Sequence, residues 1–259
     1  MLSFRAMTQL SVNVNKLATL RNARGKNSPN VERMAQDILD YGAHGITIHP
    51  RPDGRHIRLR DVHILKGLIV DYRQKRSSVE LNIEGYPSPE FLQLMLEVSP
   101  DQCTLVPDPP DVLTSNAGWS VAAQRDLLQS ASQTLHEAGV RISLFIDPYN
   151  LNDLDLKALQ SLPVQRAELY TEAYAEAHSS GLLEPTLKAY RQAADQLLAR
   201  GLELNAGHDL NQKNLAALLK ALPEIREVSI GHALVCEALE EGMQTTIKNY
   251  LNLLSSLRA

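Results

Sequence analysis

The sequence predicts a single (β/α)8 barrel, the TIM-barrel fold, built on eight parallel strands. Eight short apolar runs alternate with stretches whose apolar residues recur every three or four positions, as expected for parallel strands joined by helices. The chain has 259 residues, a usual length for such a barrel as one unit. A doubly wound open sheet is the alternative, but no glycine-rich dinucleotide fingerprint follows the first apolar run.

The predicted strands are short, apolar and often β-branched. We place them at Leu10–Val14, Gly45–His49, Val79–Ile83, Gln102–Val106, Val140–Ile146, Gln165–Leu169, Leu202–Asn205 and Glu227–Ile230. The predicted helices lie at Val31–Tyr41, Arg60–Arg76, Pro89–Val98, Ser120–Ala138, Leu154–Leu162, Glu184–Arg200, Asn211–Leu222 and Leu234–Leu257. No linker divides the chain, so we expect residues 1–9 to be a loose leader and residues 10–259 to form one catalytic domain.

Composition argues against several classes of function. A formal net charge of −4 disfavours a general nucleic-acid binder, which needs a strong positive excess. No apolar run approaches the roughly 20 residues that span a membrane. Cys103 and Cys236 stand in apolar surroundings, and we expect both to be buried free thiols. These features favour a reducing, cytoplasmic location.

The segment G-I-T-I-H-P-R-P-D-G-R-H-I, at the end of the second predicted strand, is the most informative stretch of the chain. Each proline disfavours the helical region for the residue before it, so His49 and Arg51 should be extended and project to one side. Arginine offers a fork of donors suited to phosphate, and histidine moves protons near neutral pH. With His56 nearby, the segment predicts a site for a phosphorylated substrate that undergoes proton transfer. Asp53 and Arg55 are expected to form a structural surface pair.

Polar side chains also follow the other predicted strands. In a barrel, the carboxyl ends of the strands meet at one mouth, where the chemistry takes place. The candidates from the other strand ends are Asn13, Asn15, Lys16, Arg24, Glu84, Thr114, Glu168, His208, Asp209, Gly231 and His232.

Two of these candidates are carboxylates. Glu84 interrupts the apolar pattern of its strand, and partial burial would raise its pKa toward the range of a general base. Glu168 allows two interpretations, a functional carboxylate or a barrel-interior ion pair with an arginine or lysine. Asn15 is equally open to two interpretations, a ligand or a local turn former.

The start of the last predicted helix is a candidate anion site. Gly231 and His232 open directly onto that helix, whose free N–H groups and positive dipole end attract phosphate. Of Arg21 and Arg24, one is expected to be a solvated loop charge. Lys16 could form a Schiff base, but a cation beside a phosphate is the commoner role.

A metal site is the main alternative for the histidine and glutamate set. No short motif such as H-E-x-x-H is present, and the nearby arginines and lysines disfavour a divalent cation. We therefore predict no metal. A metal-dependent sugar-phosphate isomerase or aldolase, and a non-catalytic phosphometabolite sensor, remain the alternative functions.

Seven segments resemble the pyridoxine 5'-phosphate synthase family. In chain order they are S-V-N-V-N-K-L-A-T-L-R-N-A-R-G, G-I-T-I-H-P-R-P-D-G-R-H-I, N-I-E-G-Y, L-V-P-D, T-S-N-A-G-W, L-N-A-G-H-D and V-S-I-G-H-A. The resemblance extends from Leu10 to about Leu254. It implies a β/α barrel without a metal or organic cofactor. Such an enzyme condenses 3-amino-2-oxopropyl phosphate with 1-deoxy-D-xylulose 5-phosphate to give pyridoxine 5'-phosphate, phosphate and water.

The resemblance also implies a role for each candidate. His49 and Glu84 correspond to proton acceptors, His208 to a proton donor and Glu168 to a residue that stabilises a charged intermediate. The implied aminoketone phosphate site comprises Asn13, Arg24, Asp209, Gly231 and His232. The implied deoxyxylulose phosphate site comprises Asn15, Lys16, Arg51, His56 and Thr114. The family forms octamers built from dimers, so we expect a homo-oligomer whose only ligands are two small phosphorylated substrates.

The chain departs from the commonest family pattern in two places. Asn15-Lys16 stands where many members have Asp-His, which changes the expected contacts to deoxyxylulose phosphate more than the reaction. Asp209 stands where glycine is common, so any substrate contact there is expected through the backbone.

Overall fold

A closed, all-parallel barrel forms the centre of the computed structural model, which describes residues 7–107 and 117–257. The strands follow one another in chain order around the barrel, and β8 pairs with β1 to close it. They are β1 Gln9–Asn13, β2 Gly45–Ile48, β3 Glu80–Gly85, β4 Gln102–Leu105, β5 Arg141–Ile146, β6 Arg166–Tyr170, β7 Glu203–Gly207 and β8 Ile225–Ile230. The predicted fold class is therefore confirmed, and the open-sheet alternative is wrong.

The helices pack around the barrel, and within the described residues they outnumber the predicted ones. They are α1 Asn15–Ala23, α2 Val31–Asp40, α3 Leu59–Tyr72, α4 Pro89–Val98, α5 Arg125–Glu137, α6 Asp153–Leu159, α7 Glu172–Ser180, α8 Leu183–Leu198, α9 Leu215–Ala221, α10 His232–Glu241 and α11 Met243–Ser256. Sequence periodicity missed α1 and α7, and it merged α10 with α11 across Gly242. Both missed helices are weakly amphipathic and bury only two or three side chains each, so no apolar stripe marks them in the sequence.

The outward face of the strands is apolar and packs against the helices. Leu10 and Val12 on β1, and Ile46 and Ile48 on β2, are fully buried, and the same alternation continues around the barrel. Burying one such aliphatic side chain contributes about 1.5–3 kcal/mol, so this layer provides most of the stabilisation.

The inward face of the strands is polar, although barrel interiors usually hold branched apolar side chains. Buried polar residues from the strands include Ser11, Thr47, Asn82, Gln102, Thr104, Ser143, Arg166, Glu168, Asn205, Glu227 and Ser229. Many of them bond to one another. The Ser11 and Thr47 hydroxyl oxygens lie 2.7 Å apart, and the Thr104 hydroxyl donates to Asn82 over 3.1 Å. The barrel thus encloses a hydrogen-bonded polar column.

The amino-terminal end of this column carries its own counter-charges. Arg166 lies 3.0 Å from a Glu203 oxygen and 3.2 Å from a Glu227 oxygen, and it donates to Gln102 over 2.9 Å. Arg141 forms a second ion pair with Glu80. These arginines are therefore occupied at the floor of the barrel, away from the carboxyl ends of the strands.

Helix α1 holds the loop between β2 and α3 in place. The Arg21 guanidinium forms a bidentate pair with Asp61, at 2.7 and 2.8 Å, and also donates to the His56 carbonyl over 3.1 Å. The Asn22 amide donates to the carbonyls of Gly54, Arg55 and His56. Arg21 is therefore a buried structural residue, whereas Arg24 is the solvated charge of the two.

We predict that Asp61→Ala lowers the free energy of unfolding by about 3–5 kcal/mol, because it leaves the Arg21 cation buried without its partner. It also removes the oxygen that accepts the Arg58 N–H at the start of α3. Asp37→Ala is the matched control, because its partner Arg33 is exposed and Asp37 itself is only partly buried. Its expected cost is within about 0.5 kcal/mol. Urea denaturation measures both, and equal costs would contradict the assignment.

Candidate active site

The carboxyl ends of β1, β2 and β3 bring four predicted site residues together. His49 Nδ1 lies 4.0 Å from a Glu84 carboxylate oxygen. The Asn13 side-chain amide donates to that oxygen over 3.3 Å. The Asn15 carboxamide accepts the His49 backbone N–H over 2.9 Å, so Asn15 fixes the end of β2. Two proton-accepting groups therefore face each other at the mouth of the barrel.

His49 and His56 are neutral bases in this environment. Burial, with the adjacent His56 and the positive charges of Arg51 and Arg55, lowers the pKa of His49 to about 3. Burial and Arg51 likewise lower the pKa of His56 to about 4. The Ile57 N–H donates to His56 Nδ1 over 3.0 Å, so neutral His56 carries its proton on Nε2. That N–H is a donor for a bound anion.

Glu84 has the properties of a base tuned to neutral pH. Its side chain is 14% exposed, and burial raises its pKa to about 7. The charge of His208 and the Asn13 hydrogen bond act in the opposite direction, while Glu227 adds to the rise. At neutral pH such a carboxyl can both accept and release a proton, as a general base must.

Glu168 lies deeper in the barrel than Glu84 and is not an ion-pair partner of Arg166. The Thr104 hydroxyl donates to its carboxylate over 3.5 Å. Burial, and then the charge of Glu84, raises the pKa of Glu168 well above the ordinary value. Gly207 gives this side chain its space, because a Cβ there would lie 2.5 Å from a Glu168 oxygen. Within residues 7–107 and 117–257, Glu168 pairs with no arginine or lysine, which favours the functional interpretation over a barrel-interior ion pair.

His208 differs from the other two histidines because a carboxylate holds it. Its Nδ1 lies 2.7 Å from an Asp209 oxygen, and its ring meets Tyr170 edge-on at 5.4 Å. Burial lowers the pKa of His208, but the hydrogen bond to Asp209 and the charges of Asp209, Glu84 and Glu172 outweigh it. The net pKa is raised, which favours a proton donor.

The start of α10 lies against β1. A Cβ on Gly231 would come within 3.0 Å of the Asn13 Cβ, so glycine allows this close approach. His232 is the first residue of α10 and is exposed. The amino terminus of this ten-residue helix therefore opens beside Asn13, which suits an anion.

The remaining predicted site residues differ in their exposure to solvent. Arg51 is buried, whereas Lys16 and Arg24 are exposed on and just after α1. Thr114 belongs to residues 108–116, which lie outside the described residues. Asp53 and Arg55 form the predicted pair, with a hydrogen bond of 2.6 Å.

Sequence analysis missed the residues that support the site. Asn22, Asn82 and Thr104 were not singled out, although Asn22 holds the loop that carries His56 and Thr104 contacts Glu168. The alternation of polar and apolar residues in runs such as Q-C-T-L and E-V-S-I was the available signal. Parallel strands buried on both faces usually read as continuous apolar runs, so this alternation indicates a polar barrel interior.

The two cysteines differ in their exposure. Cys103 is buried as expected, but Cys236 is exposed, with its sulfur 3.7 Å from His232 Nε2.

Within residues 7–107 and 117–257, no group of three His, Cys, Asp or Glu side chains is placed to hold a metal ion. In the same part of the chain, no helix has the length and apolar character needed to traverse a bilayer.

Fold and site together define a β/α-barrel enzyme whose mouth is built for acid–base chemistry. The family described as "Pyridoxal phosphate biosynthesis protein PdxJ" matches residues 10–256. The chain belongs to this family.

Two relatives and one solved structure illustrate the similarity. A pyridoxine 5'-phosphate synthase from Parabacteroides distasonis is 48% identical over 250 residues, covering 96% of this chain and 100% of that protein. One from Porphyromonas gingivalis is 49% identical over 245 residues, covering 94% and 98%. A mutant tryptophan synthase alpha-subunit from Pyrococcus furiosus has a TM-score of 0.59 at 16% identity, covering 97% and 100% of the two chains. This last similarity concerns the fold alone.

We predict that Asn22→Ala weakens the binding of inorganic phosphate about fivefold, the effect of losing roughly 1 kcal/mol of hydrogen bonding. The carbonyls of Gly54, Arg55 and His56 lose a shared donor, so the loop that presents His56 becomes less ordered. Titration calorimetry measures the dissociation constant. Asn252→Ala, on the exposed face of α11, is the control and should not change it. An unchanged constant for Asn22→Ala would contradict this role.

Proposed function

We propose that this chain is a pyridoxine 5'-phosphate synthase. It would condense 3-amino-2-oxopropyl phosphate with 1-deoxy-D-xylulose 5-phosphate, and release phosphate and water. The observation that carries the proposal is the placement of neutral His49 against Glu84 at 4.0 Å, with a protonatable His208 at the same mouth. Ring formation by this route needs several proton transfers in both directions, which such a set can perform.

The reaction begins when the amine joins the ketone, with loss of the ketone oxygen as water, to give an imine. Loss of a carbon-bound proton then gives an enamine, and phosphate leaves. One water adds, a chain hydroxyl is lost as water, and an aldol-type closure followed by dehydration gives the aromatic ring, with two waters released overall. In this scheme Glu84 and His49 accept protons, and His208 donates one to a leaving oxygen. Glu168 stabilises a cationic intermediate when it is ionised, and its burial strengthens that interaction.

Two anion sites would hold the substrates. For deoxyxylulose phosphate we propose the Nε2–H of His56, the Arg51 guanidinium, Lys16, Asn15 and Thr114. For the aminoketone phosphate we propose the start of α10 at Gly231 and His232, with Asn13, Arg24 and the Asp209 backbone. Arg51 and His56 follow β2, whereas Gly231 and His232 follow β8 on the other side of β1, and this placement supports two distinct sites.

The direct test mixes the two phosphorylated substrates with protein that has been treated with a chelator. Formation of the pyridinol chromophore, followed by ultraviolet absorbance, is the expected result. An inactive, folded protein, measured beside an active family member, would overturn the proposal. Activity that appears only after a divalent ion is restored would instead indicate a metal-dependent isomerase or aldolase. Tight binding of one phosphorylated compound without turnover would indicate a sensor.

We predict that Glu84→Gln lowers kcat by roughly 100-fold or more, with a much smaller change in KM, because it removes a general base. Wild-type kcat should fall as the pH drops below about 7, since Glu84 then becomes protonated. His49 does not contribute to this limb, because its pKa of about 3 keeps it neutral. Glu240→Gln, an exposed change on α10, is the control. Near-normal turnover in E84Q would remove Glu84 as a base.

E84Q should also be more stable than the wild type at alkaline pH. The pKa of Glu84 is raised in the folded state, so the wild type loses stability as the pH rises toward and through about 7. Glutamine does not ionise, so E84Q escapes this loss. Thermal unfolding should show a higher Tm for E84Q at pH 8 and a smaller difference at pH 5. The opposite order would contradict the raised pKa.

We further propose that the protein is a cytoplasmic homo-octamer assembled from dimers. Support comes from the family resemblance alone. Size-exclusion chromatography with light scattering should give about eight times the 28.7 kDa chain mass. A monomer at micromolar concentration would contradict the proposed assembly.

A further inference from the structure

We infer that Asp209 is a positioning residue, which holds the His208 imidazole in one tautomer and one orientation for proton donation to substrate. The inference deepens the proposed function and rests on it for the role of His208. The resemblance assigned Asp209 only to the aminoketone phosphate site. The structure gives its side chain a different partner.

The geometry of the pair is well defined. Asp209 Oδ2 lies 2.7 Å from His208 Nδ1, the usual distance of a charge-assisted hydrogen bond. A carboxylate accepts but does not donate, so the His208 proton between them must sit on Nδ1. Nε2 is then the nitrogen left to face substrate. When the ring is protonated, Nε2–H is the proton that can be transferred.

The backbone of this segment is held on both sides. His208 and Asp209 take left-handed conformations, with φ of 70° and 41°. The Thr171 hydroxyl donates to the His208 carbonyl over 2.6 Å, and the Asn214 amide donates to the Asp209 carbonyl over 3.1 Å. Left-handed backbone costs energy at non-glycine residues and persists where the surroundings enforce it. Here these contacts, from the start of α7 and from the residue before α9, hold the backbone from which the carboxylate reaches the imidazole.

The electrostatic surroundings agree with this geometry. Asp209, Glu84 and Glu172 all favour the protonated His208 ring, against the opposing effect of burial. The hydrogen bond from His208 lowers the pKa of Asp209, and the charge of His232 acts in the same direction. The Asp209 carboxylate is therefore ionised at neutral pH. An ionised carboxylate repels a phosphate, so its side chain suits the histidine better than the substrate anion.

The test uses Asp209→Asn, which keeps the shape of the side chain and tolerates left-handed backbone. Nitrogen-15 NMR of the histidine rings, with His208 assigned by its loss in H208Q, follows protonation in the full-length protein. We expect the His208 pKa to fall in D209N and its Nδ1–H tautomer preference to weaken. Glu172→Gln is the comparison, since Glu172 favours the protonated ring by its charge without a hydrogen bond to it, although its carboxylate holds the Tyr170 hydroxyl, and it should give a smaller fall.

Kinetics give the second measurement. If protonated His208 donates to substrate, kcat falls as the pH rises through its pKa, and D209N should move this limb to lower pH. At slightly alkaline pH we expect roughly a tenfold loss of kcat with KM within about twofold, a fraction of the effect of a complete general acid. Asp209→Gly relieves the left-handed backbone and should reproduce both changes if D209N does not fold.

Two outcomes would overturn the inference. One is a His208 pKa and tautomer that remain unchanged in both D209N and D209G. The other is an unchanged alkaline limb of kcat in an active D209N enzyme. Failure of the proposed function would look different, because the NMR shift would be present while the wild type made no pyridinol product.

Discussion

The burial of carboxylates inside a polar barrel is the constraint on which the rest of the site depends. Glu84 lies near the carboxyl end of β3, Glu168 lies in the middle of β6, and Glu227 bonds to Arg166 at the floor. Arg166 neutralises Glu227, whereas within the described residues neither upper carboxylate forms an ion pair with an arginine or lysine. Their pKa values therefore rise, and Glu84 becomes a base that exchanges protons at neutral pH.

The same principle divides the histidines of the mouth into two kinds. His49 and His56 are buried beside Arg51, so their pKa values fall and both stay neutral. His208 sits among carboxylates, so its pKa rises. The proposed proton acceptors and the proposed donor thus differ in the charges that surround them. Helix α1 sustains this arrangement at a distance, because Arg21 and Asn22 hold the loop that carries Arg51 and His56.

The fold and most residues of the candidate site could be predicted from the sequence, because strand ends in a barrel are marked by local signals. The prolines after His49 and Arg51 and the glycine before His232 identified the mouth, and β/α alternation predicted the fold. The supporting contacts could not be predicted, since they join residues far apart in the chain. Arg21 meets Asp61 across 40 positions, and Thr104 meets Glu168 across 64. The pairing of His208 with Asp209 depends on the left-handed backbone conformation of both residues, which no sequence pattern predicts.

Burial holds the pKa of the Glu84 carboxyl at about 7. Infrared difference spectroscopy of the unliganded protein, titrated from pH 4 to pH 9, tests it most directly. The account predicts a protonated-carboxyl band that disappears with a midpoint of about 7 and that is absent from E84Q. A carboxyl that ionises fully below pH 5, or a band of the same midpoint that persists in E84Q, would contradict it.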